Sequence, residues 1–165
     1  MDEIKKYGDS DVMVLPDLHP VKKMSDAEKA RIAETLLEIA EEARTFSYSP
    51  YSGYTVGAAL LTNTGSIYTG TNVETAALSG VCAERNALFK AISDGRKCFV
   101  ALAVSGGMKG RLSGSCSPCG ICRQVFSEFV DPEEFFVIFR TSEEETKIVN
   151  FGELLPFAFG SDSFK

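Results

Sequence analysis

Three cysteines in two separate segments constrain this chain more than any other feature. Cys82 opens Cys82-Ala83-Glu84-Arg85, and Cys119 and Cys122 lie within Pro118-Cys119-Gly120-Ile121-Cys122. Helical spacing through Ala83, Ala87, Leu88, Ala91 and Ile92 predicts a helix from Cys82 to Asp94, with Gly95 as its stop. A second helix is predicted from Cys119 to Val130, with Pro118 in a first-turn position and Asp131-Pro132 as its end. Between them, Cys98 to Val104 is a continuous apolar run of buried-strand length. A fold that brings both helix starts to one place gathers three sulfurs around one ion. Residues three apart share a helix face, so Cys119 and Cys122 can bind it together. The partial positive charge of helix N-termini also favours thiolate over thiol.

Three thiolates leave a tetrahedral zinc with one open position, where water can bind and become acidic. A structural site would close that position with a fourth Cys or His. Glu84 lies two residues from Cys82, on a different side of the same helix start, where a carboxylate can carry protons. On its own, a Glu in a helix's first turn is explained by the helix dipole; beside Cys82 the proton-carrier role is the stronger reading. Three thiolates on Zn²⁺ give a net charge near −1, and Arg85 is placed to offset it by donating to the sulfurs.

The remaining segments supply a scaffold. Residues 1–24 carry Gly8, Pro16 and Pro20 with little periodicity and read as an N-terminal extension; residues 25–165 read as one domain. Ser25-Asp26-Ala27-Glu28 resembles a capping box, followed by Ile32, Leu36, Ile39, Ala40 and Ala43 at helical spacing, so a helix is expected to near Thr45. Tyr54 to Leu61, the turn signal Asn63-Thr64-Gly65, and Ser66 to Gly70 form a predicted hairpin. Gly106-Gly107 and Gly110 to Ser117 are expected to be loop. Phe135 to Phe139 is a further buried strand, Lys147 to Asn150 a short one, and Glu153-Leu154-Leu155 starts a terminal turn. Helices alternating with strands after a hairpin imply a mixed sheet with helices on its faces.

Formal net charge is −6, from 17 basic and 23 acidic side chains, and no basic stripe is evident. Binding to nucleic acid draws most of its affinity from such a stripe, so a small neutral substrate is expected and a polyanion is not. No apolar run approaches the roughly 20 residues that cross a bilayer, and the charged N-terminus has no apolar core segment. A cytoplasmic location is the expectation, and the odd count of 5 cysteines argues against a disulfide framework there.

Beyond these physical readings, the chain resembles the small homotetrameric cytidine deaminases of the zinc deaminase superfamily over about residues 27 to 159. Tyr51-Ser52, Val56-Gly57-Ala58-Ala59-Leu60, Asn72-Val73-Glu74, Cys82-Ala83-Glu84-Arg85, Ser117-Pro118-Cys119-Gly120-Ile121-Cys122-Arg123-Gln124 and Glu153-Leu154-Leu155-Pro156 fall in the family's order. Zinc deaminases are known for metal-bound thiolates beside a Glu that is not a ligand. The resemblance implies a three-layer α/β/α sandwich with a mixed, about five-stranded sheet. It implies that Cys82, Cys119 and Cys122 bind zinc while Glu84 shuttles protons. By the same resemblance, the Ala83 backbone and Glu84 hold the pyrimidine edge, Asn72 and Glu74 bind ribose hydroxyls, and Tyr54 stacks on the base. Phe159 matches an aromatic that reaches a neighbouring subunit's site. Leu78 stands where the family often has Tyr, and Thr75 where Asn is common.

The implied activity is hydrolytic deamination of cytidine, with 2′-deoxycytidine, in pyrimidine salvage. A deaminase of another aminopyrimidine nucleoside such as blasticidin S, and a non-catalytic zinc-stabilised binding module, are the alternatives. Cys116 reads as an incidental thiol near the metal loop, Cys98 as a small buried apolar residue, and His19 as a tail residue.

Overall fold

The computed structural model describes residues 5–6, 12–14, 24–111, 115–142 and 145–160. The first long element is α1 (Asp26–Arg44), and the expected capping box starts it. Ser25 Oγ accepts from the Glu28 amide at 3.3 Å, and the Ser25 amide donates to Glu28 Oε2 at 2.7 Å. Two of the helix's otherwise unpaired end groups are thereby satisfied. The hairpin follows as β3 (Tyr54–Thr62) and β4 (Ser66–Thr71). Next come α2 (Ala83–Ser93), β5 (Phe99–Met108), α3 (Gly120–Phe126), β6 (Phe136–Arg140), β7 (Thr146–Asn150) and the short α4 (Phe151–Leu154).

β3 lies at the centre, antiparallel to both β4 and β5. β5 and β6 run parallel, with Ala101 opposite Phe136, and α3 lies on the connection that a parallel pair requires. β7 returns antiparallel to β6. Strand side chains alternate between faces, and each face packs on a different helix layer. Ala59, Leu61, Ala101, Ala103 and Ile138 meet Leu36, Ile39 and Ala40 of α1. Ala58, Leu60, Leu102, Val104 and Val137 meet Ala87, Leu88 and Ala91 of α2 and Phe126 of α3. Burying each of the larger side chains stabilises the fold by about 1.5–3 kcal/mol. The result is the expected α/β/α sandwich on a mixed sheet.

The sheet is wider than the five strands β4-β3-β5-β6-β7. Two short strands within the N-terminal extension, β1 (Lys5–Lys6) and β2 (Val12–Val14), join its edge, with Val12 opposite Tyr68 of β4. Gly8, Pro16, Pro20, His19 and Glu143-Glu144 lie outside the described residues.

Four local expectations need correction. Cys98, expected to be buried, is exposed just before β5, where the chain has not yet entered the sheet. Gly106-Gly107 is strand, paired with Val56 and Thr55 of β3, not loop. A Cβ on Gly106 would stand 2.3 Å from Cys116 Sγ, so the glycine gives room to a side chain rather than freedom to a turn. Pro118 precedes its helix, because Cys119 is the N-cap. α3 ends at Phe126 rather than Val130, where backbone turns take over.

One close approach sets the position of the cysteine-bearing helix. A Cβ on Gly70 would lie 2.2 Å from the Ala83 carbonyl oxygen, so only glycine lets the start of α2 rest against β4.

Candidate active site

Cys82 is the N-cap of α2 and Cys119 the N-cap of α3, both with extended backbone. Neither side chain hydrogen-bonds its own helix end, so the sulfurs turn toward one another. Cys82 Sγ and Cys119 Sγ are 3.8 Å apart, and Cys119 Sγ lies 3.6 Å from Cys122 Sγ. The three sulfurs lie within 4.8 Å of each other. A tetrahedral zinc with bonds of about 2.3 Å holds its sulfurs roughly 3.8 Å apart, so the cluster has the dimensions of such a site.

Charge and hydrogen bonding agree with that fit. Arg85 Nη2 donates toward Cys82 Sγ at 3.8 Å, and the sulfur in turn raises the guanidinium's pKa. Arg85 Nε is buried with no hydrogen-bond partner among the described residues, an orphaned donor beside a site that concentrates negative charge. A hydrogen bond from Cys122, aided by Arg85, pulls the Cys82 thiol down to about 5. The same contact and burial push Cys122 up.

Glu84 is 4 % exposed, and burial raises its carboxyl pKa, with the nearby Cys82 sulfur adding to the rise. It opens onto a cavity of about 640 Å³. Tyr54, Asn72, Glu74, Cys82, Ala83 and Cys119 also line that cavity, so one chain brings together every expected site residue except three. Cys122 is buried behind the other two thiols, and Arg85 lies beneath Cys82. Phe159 stands outside the cavity, 59 % exposed, with its carbonyl accepting from Gln124 Nε2 at 2.7 Å.

At the opposite end, Asn72 and Glu74 are held by the loop between α1 and β3 and by the first residues of β3. Asn72 Oδ1 accepts from the Val56 amide at 2.7 Å and from Ser47 Oγ at 2.5 Å, while Nδ2 donates to the Tyr54 carbonyl at 2.9 Å. Glu74 Oε2 accepts from the Tyr51 and Ser52 amides at 2.9 and 3.1 Å, and Oε1 accepts from Ser52 Oγ. The Ser52 hydroxyl, followed by the Tyr51 amide, holds the Glu74 carboxyl below its ordinary range. Leu78 lines the same end, 92 % exposed at φ 56°, a backbone region costly for a branched side chain.

Sequence reasoning passed over Ser47 and undervalued Cys116. Cys116 lines the cavity in contact range of the Gly106 backbone, and burial pushes its thiol up to about 11. Arg123 was legible only as part of a motif. Its Nε donates to the Pro118 carbonyl at 2.7 Å and Nη1 to the Leu154 carbonyl at 2.9 Å, which ties the cysteine loop to α4. No local pattern announces the second of these bonds, because Leu154 is 31 residues away in the chain.

Comparison with known proteins decides the family. Residues 30–138 match the "Cytidine and deoxycytidylate deaminase zinc-binding region". The chain belongs to this deaminase family. A cytidine deaminase of Sporosarcina psychrophila is 43 % identical over 132 residues, covering 78 % of this chain and 92 % of the relative. The crystal structure of a cytidine deaminase from Burkholderia pseudomallei superimposes with a TM-score of 0.69 at 41 % identity, covering 76 % of this chain and 98 % of that one. A cytidine deaminase structure from Mycobacterium tuberculosis gives 0.64 at 34 % identity, covering 77 % and 96 %. The zinc-binding character of the deaminase family accords with the dimensions of the three-thiol cluster, and its fold with the sandwich described above.

Proposed function

We propose that this protein hydrolytically deaminates cytidine, together with 2′-deoxycytidine, to the uridine counterpart and ammonia. The observation that carries the reading is the buried Glu84 carboxyl beside three clustered thiols at one end of a cavity with room for a nucleoside. Cys82, Cys119 and Cys122 would hold zinc, which when bound acts as a Lewis acid that lowers the pKa of water. Burial raises the Glu84 carboxyl above the ordinary Glu range, the direction that an acid–base group at this position requires. Glu84 takes a proton from the attacking water and delivers it to the ring nitrogen N3 as the oxygen bonds to C4. It then takes the proton of the new C4 hydroxyl and passes it to the amino group, which leaves as ammonia when the C4–N4 bond breaks. The Ala83 backbone at the start of α2 orients the pyrimidine edge, and Tyr54 covers the ring. Asn72 and Glu74 bind the sugar hydroxyls. Arg85 offsets the charge of the thiolates.

The acidic chain suits a free nucleoside rather than a nucleic-acid strand, and among the described residues no helix is long and apolar enough to cross a membrane. We place the protein in the cytoplasm. Residues 25–165 form the catalytic domain in this reading, with 1–24 as an added segment. A homotetramer with shared sites is supported by the exposed Phe46, Tyr51, Leu78, Phe157 and Phe159, a large apolar surface for a free monomer.

Purified protein mixed with cytidine should lose the substrate's ultraviolet absorbance, and a zinc chelator should stop that loss. Blasticidin S run alongside should be a poor substrate. Faster turnover of blasticidin S than of cytidine would overturn the assignment.

A further inference from the structure

The sugar end of the cavity is built from a donor and an acceptor whose polarity is fixed from outside. The Asn72 amide cannot rotate by half a turn. Doing so would set its NH₂ against the Val56 amide and its oxygen against the Tyr54 carbonyl, losing two hydrogen bonds at 2.7 and 2.9 Å. With Oδ1 taken by the Val56 amide and by Ser47 Oγ, and one N–H given to Tyr54, a single N–H remains. Asn72 therefore meets a ligand only as a donor. Glu74 is the reverse case. An ionised carboxylate only accepts, and three donors from Tyr51 and Ser52 set its plane. Ser52 is itself fixed, because its oxygen accepts from the Tyr54 amide at 2.9 Å. The same loop is stitched to Asn72 and Glu74 through the backbone. The Tyr48 amide donates to the Asn72 carbonyl at 3.1 Å, and the Glu74 amide to the Tyr48 carbonyl at 2.8 Å.

We propose that Ser52 and Ser47 are positioning residues that hold Glu74 as acceptor and Asn72 as donor, so that the pair selects a group that both accepts and donates, a sugar hydroxyl. The inference rests on the nucleoside reading given above. An ether oxygen, a fluorine or a hydrogen at that place satisfies at most one of the two groups and leaves the other unpaired, the arrangement that rejects analogues most strongly. Ser52 carries the larger share because it bonds a charged group, and such bonds are worth more than neutral ones.

The test compares kcat and KM of the full chain for cytidine and for 2′,3′-dideoxycytidine, which lacks both ring hydroxyls. Ser52→Ala should raise the cytidine KM about tenfold and Ser47→Ala about threefold, with kcat within about twofold. The dideoxy substrate should change little in either variant, so discrimination between the two narrows. Ser52→Thr, which keeps the hydroxyl, should restore most of it and also guards against an unstable alanine variant. Equal losses on both substrates would show a general structural role and overturn the inference, as would unchanged discrimination. A wild-type chain inert toward cytidine would instead refute the nucleoside reading, and this inference would fall with it.

Discussion

The two ends of the cavity are built by opposite strategies. At the thiol end, the groups come from two helix starts, and the spacing of Cys119 and Cys122 within one turn fixes their geometry locally. At the proposed sugar end, Asn72 and Glu74 follow a strand and take their orientation from Ser47, Tyr51, Ser52, Tyr54 and Val56, 16 to 25 residues earlier in the chain. The first end depends on regular secondary structure and tolerates little change in residue type. The second depends on loop hydrogen bonds, each worth about 0.5–1.5 kcal/mol net, and should weaken by degrees. Chemistry is thus placed where geometry is stiff, and recognition where it can be adjusted.

Breaking the stiff end gives the largest effects. Cys119→Ala should abolish both stoichiometric zinc by elemental analysis and detectable turnover, since two thiolates cannot hold a site built for three. Glu84→Gln separates the metal from the proton carrier. Zinc content should stay near one per chain while kcat falls by about a thousandfold, within the range for loss of a positioned acid–base group. Retained activity in that variant would break the assigned division of labour. Gly70→Ala tests the seat between the two ends. The new methyl meets the Ala83 carbonyl, and the expected loss is about 3 kcal/mol in denaturant unfolding.

Effects at the adjustable end should be smaller. Glu74→Gln keeps the shape but replaces an acceptor with a group that can also donate. The cytidine KM should rise some tenfold with little change in kcat. The smallest effect concerns pH. Because the folded-state pKa of Glu74 is lowered, its carboxylate stays ionised above the ordinary Glu range and through it. The hydrogen bonds that depend on that charge are lost only as pH falls through the lowered value. Amide exchange protection at Tyr51 and Ser52 should therefore persist as pH falls from about 7 through the ordinary Glu value of about 4.3, and loss at that ordinary value would contradict the depressed one.

The contrast also explains what could be read from the chain beforehand. α1, β3, β4 and α2 emerged nearly to the residue because each carries its own signal: a capping box, a run of strand formers before a turn, a helical stripe ending at Gly95. The cysteine cluster was legible because two short motifs supply all its atoms. Gly106-Gly107 misled because a glycine pair ordinarily marks a turn, whereas here it clears space for Cys116 from another part of the chain. Ser47 was invisible for the same reason, since its partner is 25 residues away. Phe159 was picked out by family pattern alone, and its place in this chain is the outer surface.

Gly70 lies two residues before Asn72, and the carbonyl it rests against belongs to the residue after Cys82. That contact acts as the fixed stop of a gauge. The span between the group that would grip a sugar and the sulfur that would grip a metal is set by two backbones touching. A shorter ligand cannot be accommodated by shifting α2 inward, because there is no slack left to take up. The least length that would bridge the two ends is, in that sense, calibrated by a missing side chain.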